Sequence, residues 1–207
     1  MFQQMINGSI AVLSRPSAST FEEHEQNNLG WALIYSLIAG LINAVVTWIG
    51  SLLVPQQIMV DIPGAEPGMA AAQPGLFALI SSTLIGTVIG LLIYWGLVYL
   101  LGRAFGGTGE FGELAYGFAL FSAPLTVIGG LVSIIPFVGV FLSFAVSIYG
   151  LYLTYLAIQS GMNLPANKAL YVVLILFAIG LAIVLCIAVF FAALIAAFIG
   201  ASGGFSP

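Results

Sequence analysis

The sequence predicts an all-α protein, a polytopic membrane helix bundle with about five transmembrane helices and an amphipathic N-terminal helix. Composition is the first reason. Of 207 residues, 61% are hydrophobic and only 5% charged, where a soluble domain carries roughly 25% charged residues. Three basic and seven acidic side chains cannot cover a water-facing surface of this size, so lipid must replace water around much of the chain. The second reason is a series of apolar runs long enough to span a bilayer. The third is that the charged residues and most prolines fall outside those runs or at their edges, Pro124 excepted.

The same composition narrows the function. Arg15, Arg103 and Lys168 are the only basic residues, so no phosphate-binding stripe exists and no nucleic-acid partner is expected. Cys186 is the single cysteine. It lies in an apolar run and reads as a small packing residue, since it has no internal disulfide partner. The N-terminus lacks a basic region before an apolar core, so no secretory signal is expected. No lipidation motif stands out.

Residues 1–28 read as an amphipathic N-terminal segment, cytoplasmic or interfacial. Phe2, Met5, Ile6, Ile10 and Leu13 fall on one helical face, with Gln3, Gln4 and Asn7 on the other. The stretch is too short and polar to span. Phe2, Met5 and Ile6 would anchor it in the headgroup plane, or the helix packs on the cytoplasmic end of the bundle. Pro16 should stop it. Thr20-Phe-Glu-Glu23 then reads as a capping box with Thr20 at the N-cap. The helix it opens could run on into the first span. His24 reads as a solvated side chain.

Residues 29–200 read as five spans and 201–207 as a short tail. The first span covers roughly 29–54, with Trp31 and Trp48 near its ends as aromatic-belt residues. A Pro/Gly/Ala-rich loop over 55–75 carries Asp61 and Glu66. The second span covers roughly 76–101. The third runs from near Glu113 to Ile135, with Pro124 inside it, where a lost hydrogen bond should kink the helix. Pro136 and Gly139 mark a tight reversal. The fourth covers roughly 140–159. The fifth runs uncharged from Lys168 for about 31 residues, where a bilayer core needs about 20, so it should tilt, kink or protrude.

With five spans, the segments holding Arg15, Arg103 and Lys168 share one side. The positive-inside rule then places the N-terminus in the cytoplasm and the C-terminus outside. Glu110 and Glu113 would sit at the cytoplasmic entry of the third span and complement its N-terminus. Gly86 and Gly90 form a GxxxG in the second span, which reads as close packing inside the bundle or, alternatively, as self-association. Gly40, Gly129, Gly130, Gly150 and Gly180 read as close-packing positions too. Asn43, Thr47, Ser81, Ser82, Thr83 and Ser122 read as helix-to-helix hydrogen-bonding groups. Transporters and proton pumps place ionisable groups near the midplane, and these spans hold none. There is no HExxH, nucleophile–base pair or phosphate loop, so no catalytic residue, metal or cofactor is expected.

From Arg103 onward the chain resembles the Yip1 family of membrane proteins. The stretch that carries the resemblance is Gly106-Gly-Thr-Gly-Glu-Phe-Gly-Glu-Leu-Ala-Tyr-Gly-Phe-Ala-Leu-Phe-Ser-Ala-Pro124. It is followed by the reversal Ile135-Pro-Phe-Val-Gly139, by Ile148-Tyr149-Gly150, and by Asn167-Lys168-Ala169 before a long apolar last helix. Leu13-Ser-Arg-Pro16 and Thr20-Phe21 are similar to the start of prokaryotic members. The resemblance implies five helices and a cytoplasmic N-terminus. Eukaryotic relatives act in ER–Golgi traffic and associate with Rab GTPases. Their long cytoplasmic N-terminal region is expected to be missing here, so Rab-type GTPase binding is not carried over. The short chain looks like a prokaryotic cell-membrane member. The expected function is a non-enzymatic scaffold or accessory protein, in contact with membrane lipids and with other membrane proteins or itself. The alternatives are a channel or carrier for a small neutral solute, and a small subunit of a larger membrane complex.

Overall fold

The computed structural model describes residues 1–53, 75–135 and 137–201. Among these, the chain is helical without a strand. Seven helices follow in order: α1 Phe2–Ser14, α2 Ala18–His24, α3 Leu29–Leu53, α4 Leu76–Ala104, α5 Phe111–Ser133, α6 Val138–Gly161 and α7 Ala166–Ala201. The last five are long and apolar enough to cross a membrane, as the sequence predicts. Pro136 and most of the loop over 55–75 lie outside the described residues.

The helix starts differ from the sequence reading. Ser17, not Thr20, caps α2: it is extended (φ −154°, ψ 156°) and its hydroxyl accepts from the Thr20 N–H at 3.1 Å. Pro16 ends α1 and leaves Ser17 extended, so the earlier of two overlapping cap signals is used. Thr20 lies inside the helix, and its hydroxyl donates to the Arg15 carbonyl at 2.9 Å. Nor does α2 run into the first span. It stops at His24, and α3 opens with its own cap, the Asn28 side chain accepting from the Trp31 N–H at 3.1 Å.

The chain forms two compact units, one holding residues 1–56 and 74–173, the other 57–73 and 174–207. In the first unit α5 is the central helix, packed by α1, α3, α4 and α6. It runs unbroken through Pro124, which has no N–H to offer the Leu120 carbonyl. The core is lopsided. Met5, Val12, Phe21, Trp95, Leu114, Phe118, Leu120, Leu153, Ile158 and Met162 are fully buried. They come from α1 and α2, the end of α4, the start of α5 and the end of α6, which all meet at one end of the bundle. At the other end Ile49, Leu52, Phe77, Leu131, Val140, Phe141 and Phe144 are exposed. In the second unit, α7 is exposed and uncharged on every face from Leu181 to Ala197. A helix apolar all round belongs in hydrocarbon.

Candidate functional site

The packed end of the bundle is a hub in which every connection is tied down. The Gly-rich segment after α4 turns under the end of α6. Thr108 donates its N–H to the Met162 carbonyl at 3.0 Å, and Gly107 donates to Gly102 at 2.8 Å. Gly106 has φ +89°, a conformation that favours glycine. A Cβ on Gly109 would run into the Gly161 carbonyl, so this crossing needs glycine. The α6 end is a complete Schellman motif. Asn163 takes the left-handed conformation at φ 51°. Asn163 N–H donates to Ser160 at 2.8 Å and Leu164 N–H to Gln159 at 3.0 Å.

Polar side chains close the hub. Glu110 and Glu113 form a reciprocal capping box at the start of α5, with the Glu110 N–H donating to the Glu113 carboxylate at 3.0 Å. Both acids thus sit at the positive end of α5. Asn27 donates to the Glu110 carboxylate. Ser160 donates its hydroxyl to Glu25 at 2.8 Å. Burial pushes the Glu25 carboxyl above the usual carboxylate range, against the lowering effect of the Ser160 hydrogen bond, with the charges of Glu113 and Glu22 adding to the rise. Lys168 donates to the Phe105 carbonyl at 2.9 Å. Arg103 donates to Tyr99 at 3.0 Å and lies over its ring, 5.3 Å from the centroid. The three basic residues therefore share the hub end.

The N-terminal helix is part of this hub. Met5 is fully buried, so it is a core residue and cannot reach lipid. Gly8 lies against Leu120 of α5, Ser9 shares a hydrogen bond with Tyr35 at 2.9 Å, and Tyr149 donates to the Leu13 carbonyl at 2.6 Å. Phe2 is exposed but meets Tyr35 edge-on at 5.9 Å, and Ile6 is half-buried. Of the two sequence readings, the structure takes packing on the bundle end. The buried face is Met5, Gly8, Ser9 and Val12 rather than the stripe through Ile10, which is exposed, and Gly8 lets α1 approach α5 closely.

Gly86 and Gly90 also stand elsewhere than expected. Both are exposed, and a Cβ added at either meets nothing within 4 Å. Gly129 and Gly180 are open in the same way, whereas Gly40 and Gly130 are in tight contact with Thr87 and Asn43. Ser81 and Ser82 donate to the Phe77 and Leu79 carbonyls of their own helix rather than across to another. Gly86, Thr87 and Gly90 instead border a hollow of about 290 Å3, with Ser36 of α3 and Ser122 and Thr126 of α5. Ser36 is 6% exposed, and its hydroxyl has no hydrogen-bond partner. Sequence reading missed this juxtaposition. The signal was present as hydroxyls and glycines at mid-span, but no spacing rule brings three separate helices together. Among the described residues, no group of three or more His, Cys, Asp or Glu could hold a metal ion.

Five helices long and apolar enough to cross a membrane, four of them packed over a tied polar end, define an integral multi-pass membrane protein. The family model for the Yip1 domain matches residues 10–187, and the chain belongs to the Yip1 family. No curated protein and no solved structure matches it.

Proposed function

We propose that the chain is a non-enzymatic scaffold or accessory protein that organises membranes or binds other membrane proteins, itself included. One observation carries this reading. Every acidic and basic side chain among the described residues lies in or beside the hub, and the spans beyond it hold no acidic or basic side chain that could relay protons or grip a charged substrate. The hub side holds all three basic residues, which supports a cytoplasmic hub and N-terminus with the C-terminus outside, in a prokaryotic cell membrane. Partners would meet the outward face of the hub, where Gln3, Gln4, Asn7, Glu22 and Glu23 are exposed beside Ile10. Rab-type GTPases are not among the proposed partners.

The test is extraction of the tagged chain into native nanodiscs and mass spectrometry of what comes with it. A defined membrane protein, or a second copy, at fixed stoichiometry and weakened by Ile10→Asp is the expected result. A lone chain, or company indifferent to Ile10→Asp, would sink the reading. The hollow beside Ser36 favours the second reading, a carrier for a small neutral solute. Its lining extends only about one turn along each helix, which supplies a place to bind rather than a path.

A further inference from the structure

The turn between α1 and α2 reaches far down the side of the bundle. Tyr149 donates to the Leu13 carbonyl at 2.6 Å, and Tyr149 is the twelfth of the 24 residues of α6. It therefore stands about 18 Å in from Gly161, the hub end of that helix, at 1.5 Å per residue. Because α6 runs toward the hub, its side chains lean away from the hub, and the Tyr149 hydroxyl is no nearer the hub than its backbone. Higher up, Gly8 lies against Leu120, about 13 Å in from Phe111, where α5 starts. From the turn α2 climbs back to Glu25, which bonds Ser160 beside the α6 end. Arg15 sits in the turn, two residues past Leu13, level with the middle of a span.

Arg15 is exposed, as are Ser14 and Ser19 beside it. Its N–H bonds to the Ala11 carbonyl and its carbonyl accepts from Thr20. Its guanidinium makes no hydrogen bond with any described residue. A cation facing acyl chains is costly, and water and headgroups are pulled toward it. An arginine side chain is too short to climb from mid-span back to the hub end. On the α4 side the picture is different. Leu100 is 67% exposed and lies only about 6 Å in from Ala104, the hub end of α4. Apolar surroundings there reach almost to the hub.

We propose that a phospholipid of the hub-side leaflet is drawn down to the α1–α2 turn, with its phosphate held by Arg15. The leaflet surface then lies lower on the α1–α2 face of the unit than on the α4 face. Asn7, Ile10, Ala11, Ser14 and Arg15 line a hollow of about 330 Å3 on this face. The guanidinium fork of Arg15 matches two phosphate oxygens. The Asn7 amide oxygen accepts from Gln3 at 3.1 Å, which leaves its amide N–H groups to donate to the same phosphate. Ile10, 61% exposed, borders the hollow and gives the glycerol and upper acyl chain an apolar rest. A free phosphate would gain nothing from Ile10, so the geometry favours a lipid. The site goes beyond the scaffold reading and does not rest on it, since the purified chain without a protein partner should hold the lipid.

The test is depth-dependent quenching on the purified full chain. In a Cys186→Ser background, Ser19→Cys is labelled with bimane and reconstituted into liposomes of phosphatidylcholine and phosphatidylglycerol. One set of liposomes carries a nitroxide on the phosphatidylcholine headgroup, the other a nitroxide midway along the acyl chain. The headgroup nitroxide should quench Ser19→Cys the more strongly. Phe177→Cys is the reference for undisturbed bilayer, about 16 Å in from Ala166 at the start of α7, and there the acyl-chain nitroxide should be the stronger. Arg15→Leu should reverse the order at Ser19→Cys, and Arg15→Lys should keep it. Circular dichroism and a monodisperse elution profile confirm that the variants are folded. Stronger acyl-chain quenching at Ser19→Cys with Arg15 in place, or an order unmoved by Arg15→Leu, overturns the proposal. So does quenching by neither lipid, the result expected if a second copy covers this face.

Discussion

Glu25 lies half-buried between α2 and α3 and keeps one hydrogen bond, from Ser160. Because its carboxyl is held above the usual carboxylate range by burial, the folded state binds this proton more tightly than the unfolded state. The linkage runs opposite to that of a salt-bridged acid. The stabilising contribution is complete below the ordinary carboxylate range and is lost as pH rises through the raised pKa. Glu25→Gln keeps the acceptor for Ser160 and removes the charge. In detergent, the melting temperature of wild type should gain on that of Glu25→Gln as pH falls from 7 toward 4.5, with the variant the more stable at pH 7. A constant gap across that range would show that burial of Glu25 does not set its titration. Gly109 makes a sharper prediction. Its Cβ would meet the Gly161 carbonyl, backbone against backbone, and neither side can yield alone. Gly109→Ala should cost about 1–3 kcal/mol, whereas Gly86→Ala, with open space around it, should leave the melting temperature nearly unchanged.

At the scale of elements, the short helices decide how the hub is built. Ser17 ends the turn after Pro16 and starts α2, which buries Phe21 against Phe121, ring centroids 6.1 Å apart. Ser17→Ala removes that cap and should cost about 1 kcal/mol, read as a lower melting temperature, while Thr20→Val should cost less because Thr20 is no cap. Equal losses would return the capping role to Thr20. The expectation that α1 rests on lipid came from a stripe centred too far round the helix: Ile10 and Phe2 are exposed, and the buried face is Met5, Gly8, Ser9 and Val12. Periodicity says which face is apolar, but both lipid and protein satisfy that face. The buried Gly8 and Ser9 on the same face distinguish them only once α5 and α3 are in place.

At the scale of the whole molecule, the first unit is dense at one end and open at the other. The dense end carries Arg15, Arg103 and Lys168, so the proposed orientation can be checked directly. In a Cys186→Ser background, Thr108→Cys should react with a membrane-impermeant maleimide only after cells are opened. Ala72→Cys, between the first and second spans in sequence, should react in intact cells. The reverse pattern would place the hub outside. The open end explains why so many large apolar residues are exposed in the chain. In hydrocarbon, exposed Ile and Phe carry no penalty, so helices there need not pack on one another.

The five spans, their order and the shared side of the basic residues were legible in the residues themselves, because an apolar run of about 20 residues has one physical solution in a bilayer. The acidic capping of α5 by Glu110 and Glu113 was legible for a similar reason, since a helix N-terminus attracts negative charge over a single turn. Local rules stop where two elements compete for the same face. Whether Met5 meets lipid or Leu120's helix, whether Gly86 and Gly90 meet a neighbour or open space, and whether the Ser36 hydroxyl finds an acceptor all depend on contacts between segments far apart in the chain. Only the tertiary structure decided those, because in a membrane the apolar pattern drives a helix into lipid and protein alike, and close packing and hydrogen bonding alone choose its neighbours.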